Sequence, residues 1–434
     1  MTRLRYTGAV PPSLLPAVLL AVVVMPAARL PATPLPAVPL SAAPLSATPT
    51  SAALLSTAPD PRAGWAGTAT LAPDNEARWI PFDLTPGNQI RFTMALDGRP
   101  VTAVLDTGVS YSVLAQRYAV VHRLIVRPEG RAAVIGGTVN VGRVPTGTVS
   151  IGALVRRGGS LAVAELPAAA TGSAVAVDLL VGRDLTAGYA LDIDYRARRF
   201  RLLRSGRLPF TGVTAPLTIA PDRLVYVSAI TLGGTRLRPM VVDTGDGSSI
   251  TLSAAAWRSA GRAAPSATTT VSFGLAGPVV SDLAIVPTLG IGRMEARDVE
   301  VRIEPAGGFS ESIGVAGRIG SGFLQQYRVL LDPGAGHMLL DATTPAVPAA
   351  RSTSGLLLGL SNDRLKVLHV MRGSPAAVAG WRDGEAICAV DGVRVTAGYA
   401  GSPLAGWATG VPGREVAMEL CDGTKRMLTL RRFY

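Results

Sequence analysis

The feature that most constrains this chain is a short pattern that occurs twice. An apolar stretch runs into Asp-Thr-Gly at Asp106, within VTAVLDTGVSYSVL, and again at Asp243, within MVVDTGDGSSITL. Gly182 follows Asp106 by 76 residues, and Gly320 follows Asp243 by 77. A single Asp-Thr-Gly after a strand is ordinary turn chemistry. Two copies with matched partners this far away indicate a duplicated unit.

The duplicated halves also share an aspartate beyond each glycine. Asp194 and Asp332 lie twelve residues after Gly182 and Gly320, where an apolar strand ends and a turn begins. A role in a hairpin is sufficient for an aspartate in this context. We therefore do not assign these two residues to a catalytic site.

The composition is typical of a folded protein that is mainly β. The chain is 48% hydrophobic and 17% charged, so it can bury large cores. Its middle region is dense in Val, Ile, Leu, Gly and Thr and reads as short strands separated by glycine turns. The formal charge of +12 comes from scattered arginines without a basic stripe. Nucleic-acid binding is therefore not expected.

The N-terminus is typical of an exported protein. Two arginines precede an apolar run and small residues follow it, which predicts a secretory signal peptide over residues 1–28. The run is shorter than the roughly 20 residues of a membrane span, and an uncleaved N-terminal anchor is the alternative. Residues 29–65 repeat Pro, Ala, Ser and Thr, which predicts an extended linker. We expect a periplasmic or secreted protein with no integral membrane span once the signal is removed.

Two Asp-Thr-Gly loops that meet at a pseudo-twofold axis would bring Asp106 and Asp243 to one water molecule. Two carboxyl groups that close share one proton, because both cannot be charged cheaply. The ionised member then acts as a general base on the water, and the protonated member polarises a substrate carbonyl. This chemistry needs no metal and no cofactor, so none is expected.

These residues resemble the aspartic peptidase family, and specifically a fused, two-lobed retropepsin-like enzyme of bacterial type. The resemblance implies two homologous β lobes of pepsin or retropepsin type, over residues 66–208 and 209–343, around a pseudo-twofold axis. It implies that Asp106 and Asp243 are catalytic and that the substrates are polypeptides. The supporting loop residues are Thr107, Gly108, Thr244 and Gly245.

A further pair of segments carries the resemblance, which covers roughly residues 79–342. In the family, an apolar-apolar-Gly segment threads beside each Asp loop and braces it. Leu180-Val181-Gly182 matches this segment in the first half. Arg318-Ile319-Gly320 matches it imperfectly in the second half, because Arg318 is not apolar.

The family also implies a glycine-rich hairpin from each half that closes over the substrate. Position along the chain predicts the first hairpin at AVIGGTVNVG, with Ile135, Gly136 and Gly137 at its tip. It predicts the second at VSFGLAGPVV, around Phe273 and Gly274. Glycine-rich hairpins are ordinary in β proteins, so these assignments depend on position alone.

The chain departs from the family directly after each Asp-Thr-Gly. The family usually places Ala, Ser or Thr there, and this chain has Val109 and Asp246. Asp246 adds a third carboxylate, which either raises the pKa of the pair or points outward without effect. It also leaves open a degenerate second lobe. The alternative function is then a non-catalytic exported scaffold that binds peptides.

Residues 352–434 resemble a bacterial PDZ domain, which is a small α/β fold. The resemblance rests on the segment Leu358-Gly359-Leu360, on GSPAAVAG and on DGEAICAVDG. Ser374 and Pro375 suit the N-cap and first turn of a helix. In such domains a loop binds the C-terminal carboxylate of a peptide, here at Leu358-Gly359-Leu360, while the peptide extends the sheet. The alternative is a capping domain that only packs on the rest of the chain.

Other peptidase chemistries lack their residues. His122, His337 and His369 have no Asp and Ser arrangement nearby that would form a serine triad, and no His-Glu-x-x-His occurs. Cys388 and Cys421 either form one disulfide in an oxidising compartment or remain two thiols. We expect a monomer whose partners are polypeptide substrates and peptide C-termini.

Overall fold

The computed structural model describes residues 65–173, 175–220, 224–261, 268–342, 351–399, 402 and 404–434, together with the backbone of Val22 and Val23. The rest of the predicted signal peptide, over residues 1–28, and the predicted linker up to residue 64 lie outside the described residues. The described part of the chain is mainly β, as predicted. It contains no helix that is long and apolar enough to cross a membrane.

The first sheet, which we call the N-terminal sheet, takes all its described strands from residues up to 181. The Asp106 loop connects its strands Arg99–Leu105 and Val113–Ala115. Leu179–Val181 lies between these two, parallel to the first and antiparallel to the second. The described strands of this sheet are Val22–Val23, Thr68–Leu71, Asp83–Leu84, Ile90–Leu96, Arg99–Leu105, Val113–Ala115, Arg127–Val134, Gly137–Pro145, Thr148–Ile151, Leu154–Arg157, Ser160–Ala164 and Leu179–Val181. The accompanying helices are Gln116–Val121 and Arg183–Thr186, with 3-10 helices at Asn75–Ala77 and Ala168–Thr171.

The second half of the duplicated region forms the middle sheet with the same local arrangement. The Asp243 loop connects Thr235–Asp243 and Ile250–Leu252, and Gly317–Gly320 lies between them. Gly317–Gly320 is again parallel to the first and antiparallel to the second. The described strands are Thr218–Ile219, Tyr226–Leu232, Thr235–Asp243, Ile250–Leu252, Thr268–Gly274, Gly277–Ile291, Met294–Ile303 and Gly317–Gly320. The helices are Ala254–Ser259, Phe309–Ser312 and Ser321–Leu324.

Apolar burial explains why both Asp loops begin inside the protein. Ala103, Val104 and Leu105, at the end of one strand, are all buried, so burial no longer alternates between the two faces of the sheet. Val241 and Val242 are likewise buried before the second loop. A strand that is apolar on both faces is covered on both sides. Each strand therefore ends with its aspartate in the core.

Both halves contribute strands to a third sheet, which we call the joint sheet. Tyr189–Asp194 from the first half pairs antiparallel with Arg328–Asp332 from the second. Asp194 and Asp332 end these strands and accept hydrogen bonds from the N–H groups of Ala197 and Ala335 in the following turns. These bonds give both aspartates hairpin roles. The strands, in sheet order, are Val213–Pro216, His337–Asp341, Arg328–Asp332, Tyr189–Asp194, Arg199–Arg204 and Ile80–Pro81.

The C-terminal residues form a fourth sheet with its own core. Ser374 caps the helix Pro375–Val378 by accepting the N–H of Ala377, which confirms the predicted cap. Cys388 and Cys421 form a disulfide, so the first of the two alternatives holds. The strands are Leu356–Ser361, Arg364–Val370, Ala386–Val390, Val393–Arg394, Glu415–Leu420 and Lys425–Thr429, with a 3-10 helix at Trp407–Thr409.

The prediction that Leu358, Gly359 and Leu360 form a carboxylate-binding loop is wrong. All three lie inside the strand Leu356–Ser361, which pairs along its length with Arg364–Val370. Leucines on both sides of the glycine favour an extended strand, since their side chains can be buried against the sheet. This strand stands at one edge of the C-terminal sheet.

The C-terminal sheet contacts the hairpin that begins at Thr268. The hydroxyl of Thr268 donates to the carbonyl of Arg372, and the N–H of Arg372 donates to the hydroxyl of Thr269. The guanidinium of Arg372 also pairs with Asp282 at 3.1 Å. His369 Nε2 lies 2.8 Å from the hydroxyl of Thr269. The C-terminal unit is therefore held against the base of this hairpin.

We expect the disulfide to stabilise the C-terminal unit. It closes a separation of 33 residues, so replacing Cys388 and Cys421 together by alanine should lower the free energy of unfolding of this unit by about 3–4 kcal/mol. Urea unfolding followed by the fluorescence of the buried Trp381 and Trp407 measures the change. Wild type treated with reductant should match the variant. Two titratable thiols in the untreated protein would contradict the disulfide.

Candidate active site

The two Asp-Thr-Gly loops face each other across the two halves of the chain. A methyl group on Gly108 would lie 2.4 Å from Cγ of Asp243, and one on Gly245 would lie 2.3 Å from Cγ of Asp106. Real side chains do not approach this closely, so each glycine allows the opposite carboxyl group to contact its backbone. The structure thus brings Asp106 and Asp243 together.

Reciprocal threonine hydrogen bonds join the loops. The hydroxyl of Thr244 accepts the N–H of Thr107 at 3.1 Å, and the hydroxyl of Thr107 accepts the N–H of Thr244 at 3.0 Å. The hydroxyl of Thr107 also donates to the carbonyl of Val242, and the hydroxyl of Thr244 donates to the carbonyl of Leu105, each at 2.7 Å. Both threonines are buried. Four buried hydrogen bonds therefore fix the spacing between the two aspartates.

The two carboxyl groups have unequal partners. Oδ1 of Asp106 accepts one backbone N–H, from Gly108 at 3.1 Å. Oδ1 of Asp243 accepts two, from Gly245 at 2.9 Å and from Asp246 at 3.0 Å. Both Oδ2 atoms are buried without a donor from the described protein groups. Because hydrogen bonds from N–H groups favour the ionised carboxylate, Asp243 is better suited to carry the charge.

Burial and mutual repulsion hold a proton on this pair. Burial raises the pKa of Asp106 well above its ordinary value, and the negative charge of Asp243 raises it further. Burial also raises the pKa of Asp243, to about 7. The charge of Asp246 adds to that rise, and the guanidinium of Arg318 opposes it. The pair therefore shares one proton near neutral pH.

The first predicted hairpin reaches from the N-terminal sheet to the middle sheet. Ile135 and Gly136 form its tip, between the strands Arg127–Val134 and Gly137–Pro145. Ile135 is buried in an apolar cluster with Val241, which lies two residues before Asp243. The hairpin therefore crosses to the side of the chain that carries the second aspartate.

The second predicted hairpin meets the first. Phe273 and Gly274 end its first strand, and the tip is formed by Leu275 and Ala276. The N–H of Ala276 donates to the carbonyl of Ile135 at 3.3 Å, so the two tips touch. Both aspartates have no exposed surface in this closed arrangement.

The two apolar-apolar-Gly segments lie where bracing elements would lie. The N–H of Asp106 donates to the carbonyl of Val181, and Asp243 pairs with Gly320 in a parallel ladder. A methyl group on Gly182 would lie 2.9 Å from the carbonyl oxygen of Val109, and one on Gly320 would lie 2.3 Å from that of Ser248. The glycines are thus required by close packing against each Asp loop.

Asp246 and Arg318, two of the three departures from the family pattern, contact each other. Both are buried, and Nε of Arg318 lies 2.9 Å from Oδ2 of Asp246. The guanidinium also binds Glu304 at 2.8 Å and the hydroxyl of Ser310 at 2.8 Å. The outward orientation of Asp246 is therefore excluded. Glu304 and Ser310 were missed in the sequence, which offered only polar residues beyond an apolar strand.

Two further residues missed in the sequence hold the Asp243 loop from the other half of the chain. The amide of Gln89 donates to the carbonyl of Gly245 at 3.2 Å. The amide of Asn88 donates to the carbonyl of Gly247 at 3.1 Å. Asn88 adopts a positive φ of 63°. Asparagine is favoured in such turns, so its residue type is the one local signal that the sequence offered.

Three carboxylates lie in this region without forming a metal site. Asp246 is bound to Arg318, while the carboxyl groups of Asp106 and Asp243 each lie against the glycine of the opposite loop. The described part of the chain holds no group of three or more His, Cys, Asp or Glu that could bind a metal ion. The arrangement is that of a carboxyl pair with a shared proton.

We expect the threonine hydroxyls to be essential for the stability of this interface. Thr244→Val leaves the N–H of Thr107 and the carbonyl of Leu105 buried without their partner. The free energy of unfolding should fall by about 2–4 kcal/mol. Thr244→Ser keeps the hydroxyl and is the matched control. Urea unfolding of the two variants measures the difference, and equal losses would show that the hydroxyl is not the cause.

Comparison with known proteins connects the first half of the site to one family. A family model described as aspartyl protease matches residues 92–185, which include the Asp106 loop and the first hairpin. The crystal structure of basic 7S globulin from soybean is similar over 62% of this chain and 97% of its own, with 11% identity and a TM-score of 0.36. No curated protein matches the chain. The predicted resemblance is thus confirmed for residues 92–185, which match the aspartyl protease family.

Proposed function

We propose that this chain is an exported aspartic endopeptidase with two retropepsin-like lobes, over residues 66–208 and 209–343, and a C-terminal PDZ domain over residues 352–434. The observation that carries the proposal is the pair of carboxyl groups of Asp106 and Asp243, which are buried together between two cross-linked Asp-Thr-Gly loops. The aspartyl protease match over the first lobe supports the same chemistry.

The unequal hydrogen bonding of the pair suggests a role for each aspartate. Ionised Asp243 accepts a proton from water as the water oxygen bonds to the scissile carbonyl carbon. Protonated Asp106 donates its proton to the carbonyl oxygen, which gives a neutral tetrahedral diol. The carbon–nitrogen bond then breaks as Asp243 returns its proton to the leaving nitrogen, and Asp106 recovers a proton from the diol. The pair ends with one proton, as it began.

The closed hairpins suggest how the site excludes water. The hairpin tips touch through Ile135 and Ala276, and both carboxyl groups are unexposed. Separation of the tips would admit an extended polypeptide, and closure would return the carboxyl pair to a dry environment in which its interactions are stronger. Gly136 and Gly137, with φ of 90° and 144°, allow the tight turn at the first tip.

Export is supported by the disulfide. Cys388 and Cys421 are joined, and stable disulfides persist chiefly in oxidising compartments. A periplasmic or secreted location agrees with the signal peptide that the sequence predicts. No cofactor is needed for the proposed reaction.

Peptide binding by the C-terminal unit is supported by its edge strand. Leu356–Ser361 pairs on one side only within the C-terminal sheet, so a peptide could add as a further strand. The backbone donors of the preceding loop are already engaged. The N–H groups of Thr353 and Ser354 donate to the carbonyl of Ala408, and that of Gly355 donates to the hydroxyl of Ser352. Strand addition is therefore the stronger route for binding peptide termini.

We expect both aspartates to be necessary for cleavage. Asp106→Asn and Asp243→Asn should each reduce cleavage of an unfolded polypeptide at least about 10²-fold, because each removes a proton donor or acceptor. Asp194→Asn, which alters a hairpin aspartate of the joint sheet, is the matched control. Loss in only one variant would indicate a degenerate lobe. No cleavage by wild type at any pH, with no thermal shift from a pepstatin-type inhibitor, would instead support the non-catalytic peptide-binding scaffold.

We also expect kcat/KM to fall on the acid side of neutral pH. We call this part of the pH profile the acid limb. Asp243 must be ionised to accept a proton, so kcat/KM should fall as pH drops through its pKa of about 7. Asp106 must stay protonated, and its pKa is raised well above the ordinary value, so its proton is retained there. A pH profile of kcat/KM measures the limb. Maximal activity in strongly acidic solution would contradict this assignment.

A further inference from the structure

The residues beside the two Asp loops differ in kind between the halves of the chain. Val109 lies three residues after Asp106, and Asp246 lies three residues after Asp243. Both are fully buried. An apolar side chain therefore occupies this position in the first half, and a carboxylate occupies it in the second.

The strands that brace the loops show the same difference, with an apolar residue in the first half and a charged residue in the second. Leu180 pairs with Val104 in a parallel ladder, and Arg318 pairs with Val241. Val104 and Val241 each lie two residues before their aspartate, so Leu180 and Arg318 occupy equivalent positions. An apolar side chain in the first half again corresponds to a charged one in the second.

The third strand of the arrangement follows the same rule. Val113 is the antiparallel partner of Leu180, and Thr251 is that of Arg318. The hydroxyl of Thr251 lies 3.3 Å from Oδ2 of Asp246. Three apolar residues of the first half thus correspond to three polar residues of the second. We call Asp246, Thr251 and Arg318 the polar set; Thr251 and Arg318 both bind Asp246.

The side chains of the polar set are hydrogen bonded, and the set extends to a second carboxylate, Glu304. Asp246 accepts from Arg318 at 2.9 Å and from the N–H of Ser248 at 2.8 Å. Arg318 continues to Glu304, which lies 2.8 Å from Nη2 and is also buried. One guanidinium therefore stands between two carboxylates. Such a network is costly to break by removing one member, because the others are left unpaired.

We propose that Asp246 and Arg318 are positioning residues of the candidate site, and that their buried ion pair holds the Asp243 loop and sets the pH at which Asp243 ionises. The inference rests on the proposed function. Neither residue needs to touch substrate. Both act through the Asp243 loop.

The geometry gives the pair a direct route to Asp243. The side chain of Asp246 is held by Arg318, while its backbone N–H donates to Oδ1 of Asp243 at 3.0 Å. In the first half, the N–H of Val109 donates to the backbone carbonyl of Asp106 and not to its carboxyl group. The extra donor favours the charged form of Asp243.

The charges around Asp243 set the sign of the test. The titratable groups that face it are Asp106 across the pair, Asp246 in its own loop and Arg318 on the bracing strand, with Glu304 behind Arg318. Removing the charge of Asp246 should make Asp243 easier to ionise. Replacing Arg318 by another cation should leave that balance unchanged.

The decisive measurement is the pH profile of kcat/KM for Asp246→Asn and Arg318→Lys. Asp246→Asn should move the acid limb to lower pH by about one unit, since one nearby negative charge is lost. Arg318→Lys should leave the limb in place. Val109→Ala in the first half is the control for loosened packing and should also leave it in place. A limb that is unmoved in Asp246→Asn, or that moves in all three variants, would overturn the inference.

Thermal unfolding tests the correspondence between the halves independently of activity. Arg318→Leu leaves two buried carboxylates without their cation and should lower the melting temperature by about 10 °C. Combining it with Asp246→Val and Glu304→Gln places the residues of the first half at two of the three positions and removes the charge of Glu304. The triple variant should melt within about 5 °C of wild type. A triple variant that is less stable than Arg318→Leu would contradict the correspondence between the polar set and the apolar residues of the first half.

The two measurements separate this inference from the proposed function. Wild type that cleaves no polypeptide would defeat the proposed function and, with it, the role of the ion pair in setting the acid limb. Wild type that cleaves, with an acid limb unmoved in Asp246→Asn, would defeat the inference alone.

Discussion

The close approach of two carboxyl groups in the protein interior is the constraint on which the rest of this structure depends. Asp106 and Asp243 have no exposed surface, so two negative charges there would be strongly unfavourable. A shared proton removes one charge. The threonine hydrogen bonds hold the two loops at the required spacing, and Gly108 and Gly245 let each loop contact the opposite carboxyl group. Each of these features comes from both halves of the chain, so neither half could form the site alone.

The duplicated halves are alike in topology and unlike in electrostatics. Both place a strand between the two strands that flank an Asp loop, in the same orientation. The first half has apolar Val109, Val113 and Leu180 at three positions beside its loop, whereas the second half has the buried network of Asp246, Arg318 and Glu304. A symmetric pair of carboxyl groups has no preferred proton position. The charged network supplies a difference between the two, which a general base and a general acid require.

The C-terminal unit is attached to the second hairpin, which begins at Thr268. Arg372 binds Thr268, Thr269 and Asp282 at the base of the second hairpin. The tip of the same hairpin contacts Ile135 at the tip of the first hairpin. A unit that binds peptide at the edge strand Leu356–Ser361 would therefore lie against the hairpin that must open for substrate.

The sequence by itself determined the mainly β class, the two Asp loops, their glycine partners and the hairpins, because each depends on a local pattern or a repeated interval. It did not determine that Asp246 and Arg318, which are 72 residues apart, form one ion pair. Nor did it show that Gln89 holds the Asp243 loop or that Leu358-Gly359-Leu360 lies in a strand. Those outcomes depend on which strands lie side by side and which charges are buried together. Only the tertiary structure decides them, because burial makes a charge unfavourable until another part of the chain brings its partner.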